Sequence, residues 1–156
     1  MIRSVAERAG TAAPLVVITD SDEVIANHRL PPDLRIIVLD TLQSSLTEED
    51  KELLLLRLIL QAHPLVVTNA NSIVGWNLYK HFGRQLVTAT RLAAWLQDHS
   101  YDINPCFDYL SYLFVDSDRT RKQLLDRFAF GETDSKKLIV CGSNAVPVEL
   151  LGALNG

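Results

Sequence analysis

Glycine is scarce in this chain, and its scarcity excludes several chemistries. Only seven glycines occur among 156 residues, and none clusters behind an apolar run. The turns that press backbone against phosphate, G-x-G-x-x-G and G-x-x-x-x-G-K-[ST], are missing, as is the G-x-S-x-G elbow of serine hydrolases. Two cysteines, Cys106 and Cys141, are too few and too far apart for a disulfide framework or a zinc knuckle, and read as reduced thiols filling the interior. Four histidines, His28, His63, His81 and His99, fall in no H-x-H or H-E-x-x-H spacing, so no metal site is expected. Positive charge is not in excess: the net charge is −4, which argues against an undirected grip on nucleic acid or anionic lipid. The longest apolar run, Leu53 to Leu60, is broken by Arg57 and falls far short of the roughly 20 residues that span a bilayer. The first ten residues carry charges and no apolar h-region, so no signal peptide is read there. The expectation is a cytoplasmic protein without a transmembrane segment, at most peripheral to the inner face of the membrane.

What is present is a core. Hydrophobic residues make up 47% of the chain and charged residues 22%, ordinary for a globular domain. Short β-branched runs alternate with longer helical patterns. Leu15–Thr19, Arg35–Leu39 and Leu65–Thr68 each follow a proline and read as buried strands; Gln85–Thr88, Tyr112–Val115 and Leu138–Cys141 are further strands. Helices are expected at Ser4–Ala9, Thr47–Ala62, Ser72–Phe82, Thr90–Gln97, Ser117–Phe128 and from Pro147. Thr47 is the N-cap of the second, with Glu48, Glu49 and Asp50 suiting the dipole of its first turn. Asn71 or Ser72 opens the third and Gly83 closes it. Trp76 and Trp95 both read as helical core. The fold class is α/β: a three-layer, Rossmann-like domain with a mainly parallel sheet of about six strands and right-handed crossovers.

In such folds ligands bind beyond the carboxyl ends of the strands. The residues expected there are Asp20, Ser21 and Asp22, then Asp40 and Thr41, then Asn69, Ala70, Asn71 and Ser72, then Thr90 and Arg91, then Asp116, Ser117 and Asp118, and last Ser143 and Asn144. This rim of hydroxyls and amides suits sugar hydroxyls or phosphate, although the same residue types are also the usual caps and turn formers. Asn71-Ser72 opening a helix could hold an anion on free amides. Arg91, read at a helix start, works against the dipole there.

Two stretches carry a family resemblance. Asn71 to Trp95, NSIVGWNLYKHFGRQLVTATRLAAW, resembles the middle of the acceptor domain of B-type-fold glycosyltransferases of bacterial polysaccharide biosynthesis, with its Asn-Ser, Gly-Trp, His/Tyr-Gly-Arg and Thr-Arg-Leu elements. Tyr112 to Pro147, YLFVDSDRTRKQLLDRFAFGETDSKKLIVCGSNAVP, is similar to that domain's last strand–helix–strand unit. Thr90 stands where many members have His, and Ala145 where they have the Gly of an Asn-Gly-Val element. The resemblance implies a Rossmann-like acceptor-side domain over residues 1–146 and the start of an interdomain linker at 147–156. The full-length enzyme would transfer a sugar from a nucleotide-sugar co-substrate, with retention, to a glycan or small acceptor. This half would hold the acceptor and no cofactor. A C-terminal donor-binding domain of the same protein would complete the site, so this fragment alone would be inactive. Asn71, Ser72, Gly75, Thr90 and Arg91 would face the acceptor, with Asp116, Ser117 and Arg121 behind them; no catalytic residue is assigned.

Two other readings fit the residues. The length and strand count also suit a free-standing flavodoxin-like α/β module that binds a ligand or regulates. A phosphoacceptor receiver is disfavoured, because Asn69 and Gly142 stand where an Asp and a Lys are needed. A half-domain that only docks a partner chain is the third.

Overall fold

The computed structural model describes residues 16–19, 35–42, 45–96, 101–128 and 130–141. In chain order these form β1 (Val16–Thr19), β2 (Arg35–Val38), α1 (Leu39–Leu42), α2 (Glu48–Ala62), β3 (Val66–Ala70), α3 (Ile73–Leu86), β4 (Arg91–Leu96), α4 (Asn104–Phe107), β5 (Leu110–Val115), α5 (Asp118–Phe128), α6 (Glu132–Ser135) and β6 (Leu138–Val140). The expected helices at Ser4–Ala9 and from Pro147, the rim at Asp20–Asp22 and at Ser143–Asn144, and the boundary at residue 146 lie outside the described residues.

All strand pairings among the described residues are parallel. β1 pairs with β2, and β3, β4, β5 and β6 form a four-stranded sheet in sequential order. Both faces of that sheet are buried, as continuous apolar strands require. On one face Leu92, Ala94 and Leu96 of β4 and Leu113 and Val115 of β5 join Trp76, Leu78, Tyr79 and Leu86 of α3, Cys106 and Phe107 of α4, and Leu124 of α5. On the other, Ala93, Trp95, Phe114 and Cys141 form a second cluster. The architecture is the α/β, Rossmann-like, three-layer kind the alternation predicts. Among the described residues no helix is long and apolar enough to cross a membrane.

α2 starts where expected. Thr47 Oγ1 accepts from the Asp50 amide at 3.1 Å, and the Asp50 carboxylate accepts from the Thr47 amide at 3.0 Å. The Thr47 hydroxyl also donates to this carboxylate at 2.7 Å, and that bond first and the one from the Thr47 amide second hold the Asp50 carboxyl below its ordinary value. His63 ends the helix in the left-handed region at φ 46°, and Pro64 follows. Glu52, on the buried face of this helix, pairs with His81 Nδ1 of α3 at 2.8 Å, which gives a carboxylate removed from water a polar partner.

Two expected elements are corrected. Gln85–Thr88 is not a strand, because α3 continues through Gly83 to Leu86. Gly83 sits there because the helix backbone presses on Tyr109: an added Cβ would collide with Tyr109 Cδ2 and Cγ. Thr90–Gln97 is not a helix. Arg91–Leu96 is β4, the inner strand between β3 and β5, and Leu92 to Leu96 are all buried. Ala and Leu are good helix formers, but two-sided burial in the sheet overrides that local preference. Trp95 is consequently a strand residue, 3% exposed in the second core cluster.

Candidate functional site

The carboxyl edge of the four-stranded sheet is built from two similar turns. At the end of β3, Asn69 is 5% exposed and its amide clamps the next turn. Its Oδ1 accepts from the Ser72 amide at 2.9 Å, and its Nδ2 donates to the Ser72 carbonyl at 3.2 Å. The chain bends through Asn71 at φ 70°, a conformation Asn tolerates better than most residues. Ser72 then caps α3, its Oγ accepting from the Gly75 amide at 3.1 Å. Gly75 is required by this clamp, since a Cβ there would lie 2.6 Å from Asn69 Oδ1 and 2.7 Å from its Cγ.

At the end of β5 the pattern repeats. Ser117 Oγ accepts from the Thr120 amide at 3.2 Å, as a cap does. The hydroxyls of Ser117 and Thr120 lie 3.1 and 2.5 Å from Asp116 Oδ1, to which both donate. β3 and β5 flank β4, so the two helix openings sit two strand spacings apart, about 10 Å. Trp76, one turn into α3, packs on the same edge against Tyr101, ring centroids 5.7 Å apart. Two buried side-chain atoms here have no hydrogen-bond partner among the described residues: Asn71 Oδ1 and Trp76 Nε1.

The structure thus brings Asn71, Ser72, Gly75, Asp116 and Ser117 to one edge. It does not bring Thr90 and Arg91 there. Arg91 pairs with Val66 at the amino ends of β4 and β3, whereas Asn71 follows Ala70, which pairs with Trp95. Four residues of strand separate the two levels, about 13 Å. Their expected place after a strand rested on the mistaken strand at 85–88, and the conflict read between Arg91 and a helix dipole disappears with it. Arg121 is also committed elsewhere: its guanidinium donates to the Ser135 carbonyl at 3.4 Å.

Asn69 and Thr120 organise this edge more firmly than the residues first singled out. Asn69 was legible as a polar residue closing an otherwise apolar strand run; Thr120 lay inside a helix pattern and gave no signal. Trp76 read as core, which its burial bears out, but nothing in sequence could show its unpaired donor.

Chemically the edge is a hydrogen-bonding surface. Among the described residues no group of three or more His, Cys, Asp or Glu could hold a metal ion. Tyr79, beneath the edge, donates to the carbonyls of Val67 and Ala93 at 2.9 and 3.0 Å; burial above all raises its phenol well beyond the ordinary tyrosine range. Burial first, and then Asp102, pushes the Cys106 thiol up to about 11. Both groups are neutral at physiological pH and serve the core.

The chain matches no family model, no curated protein and no solved structure.

Proposed function

We propose that this domain is the acceptor-side half of a B-type-fold glycosyltransferase and binds a glycan or small hydroxylated acceptor at the carboxyl edge of the β3–β6 sheet. The nucleotide-sugar donor belongs to a C-terminal domain of the same protein, and transfer takes place between the two. The observation that carries this is the pair of turns at Asn69–Ser72 and Asp116–Thr120, which places amides, hydroxyls and one carboxylate on the edge where open α/β sheets take ligands. The sequence resemblance over Asn71–Trp95 and Tyr112–Pro147 supplies the enzyme class. Asn71, Ser72, Gly75, Asp116 and Ser117 remain the acceptor-facing set, and Thr90 and Arg91 leave it.

Calorimetric titration with nucleotide sugars and, separately, with neutral glycans tests the proposal. Glycan binding that weakens in Ser72→Ala, without nucleotide binding, supports it. Tight binding of a nucleotide or flavin by this chain alone would replace it with a free-standing flavodoxin-like module.

A further inference from the structure

Polar atoms buried in a folded protein are almost always paired, so an unpaired one asks for an explanation. Two occur among the described residues, five positions apart at the opening of α3 and one of each kind: the acceptor Asn71 Oδ1 and the donor Trp76 Nε1. Trp76 is only 6% exposed. It is the fourth residue of α3, and a long helical side chain leans toward the helix N-terminus and covers the turn before its own Cα. Its indole therefore lies over the opening of α3, where Asn71 precedes the Ser72 cap. Tyr101, which follows β4 in the chain, flanks the ring at the same end, tilted by 33°.

We infer that Trp76 Nε1 and Asn71 Oδ1 form a subsite for a ligand hydroxyl, and that the ligand is a neutral saccharide rather than an anion. This rests on the acceptor-binding role proposed above. One hydroxyl satisfies both atoms: its oxygen accepts from the indole N–H, and its hydrogen goes to the amide oxygen. A phosphate or carboxylate satisfies only the indole and sets its charge against Asn71 Oδ1. Tyr101, partly buried against Trp76, is the aromatic surface left for the C–H face of a sugar ring. Because both atoms lie below the surface, the hydroxyl seats deeply, and the site discriminates against a sugar that lacks it. A missing partner leaves buried groups unpaired, which is where recognition of this kind is strongest.

The experiment follows the two indole N–H resonances of the protein by NMR during titration with glucose, N-acetylglucosamine and their disaccharides, with inorganic phosphate as the anion. The expected result is a saturable shift of the Trp76 indole with at least one saccharide, while Trp95 in the second core cluster stays still. Trp76→Phe keeps the ring and removes the donor, and binding should weaken about tenfold, one hydrogen bond's worth. Asn71→Gly removes the acceptor while keeping the positive φ, so it folds and should weaken binding by a similar factor. Saccharide binding with an unmoved Trp76 indole and unchanged affinity in both variants would mean that a buried water alone satisfies these atoms; the subsite falls and the acceptor role stands. A phosphate-induced shift without a saccharide one overturns the neutral ligand. If no saccharide binds, both the subsite and the acceptor role fall.

Discussion

At the carboxyl ends of β3 and β5, polar side chains tie down the turns that follow; at the amino ends of the same sheet, rings and a glycine do the equivalent work. Asn69 clamps Ser72 and Asp116 gathers Ser117 and Thr120 on the first edge. On the second, Gly83 admits Tyr109, Phe107 stacks on Phe130 at 4.0 Å, and Lys137 Nζ lies 5.0 Å over Phe107. A turn held by side-chain hydrogen bonds fixes the directions of the polar atoms it carries. A junction held by aromatic packing leaves little that a polar ligand could use. The difference between the edges is thus one of preorganisation, and it separates a ligand surface from a structural one on the same four strands.

The largest effect expected from breaking this contrast is on the packed edge. In Gly83→Ala the new Cβ meets Tyr109 Cδ2 and Cγ, near the root of the ring, so the helix or the ring must move. Overpacking of this kind costs about 3 kcal/mol, measured as a lower urea midpoint at unchanged slope, and glycan affinity should not change. Next comes Asn69→Ala, which removes both bonds to Ser72 and should cost about 2 kcal/mol. Here, unlike at Gly83, glycan affinity should fall as well, because the turn carrying Asn71 loosens.

A smaller effect, common to both edges, comes from the buried core between them. Tyr79 is raised in the folded state, so its neutral form is favoured there, and the stability it contributes is fully present below the unfolded value of 10.0. Above that pH the unfolded chain ionises first. Stability should then fall by up to about 1.4 kcal/mol per pH unit. Cys106, pushed up from 9.0 to about 11, adds a like loss between those two values. Tyr79→Phe should remove the Tyr79 part of this dependence in denaturation measured from pH 8 to 11. The smallest expected effect is that of Arg91→Ala. Arg91 is exposed at the amino edge, and its loss should change stability by no more than about 0.5 kcal/mol and leave glycan affinity alone.

The last of these marks the limit of the sequence. The strands at β1, β2, β3, β5 and β6 were legible because proline or turn residues bracket short runs of β-branched and aromatic residues, and α2 because Thr47 and its acidic first turn announce it. The segment from Gln85 to Leu96 misled for two reasons. Gly83 looks like a helix end but is a close-packing position inside α3, and Leu-Ala-Ala-Trp-Leu has helical composition but lies between two strands. That single misreading moved Thr90 and Arg91 to the wrong edge. Asn71, Ser72, Asp116 and Ser117 were placed correctly because they follow correctly read strands. The roles of Asn69 and Thr120 depend on contacts across a turn, which no residue pattern displays.

The contrast between the edges is tested most directly by mapping backbone amide shifts during titration with a neutral saccharide. Shifts should gather at residues 69–76, 101 and 116–121, with residues 83–91, 107–109 and 137 unmoved. Shifts centred on the amino edge would contradict the assignment of the ligand surface.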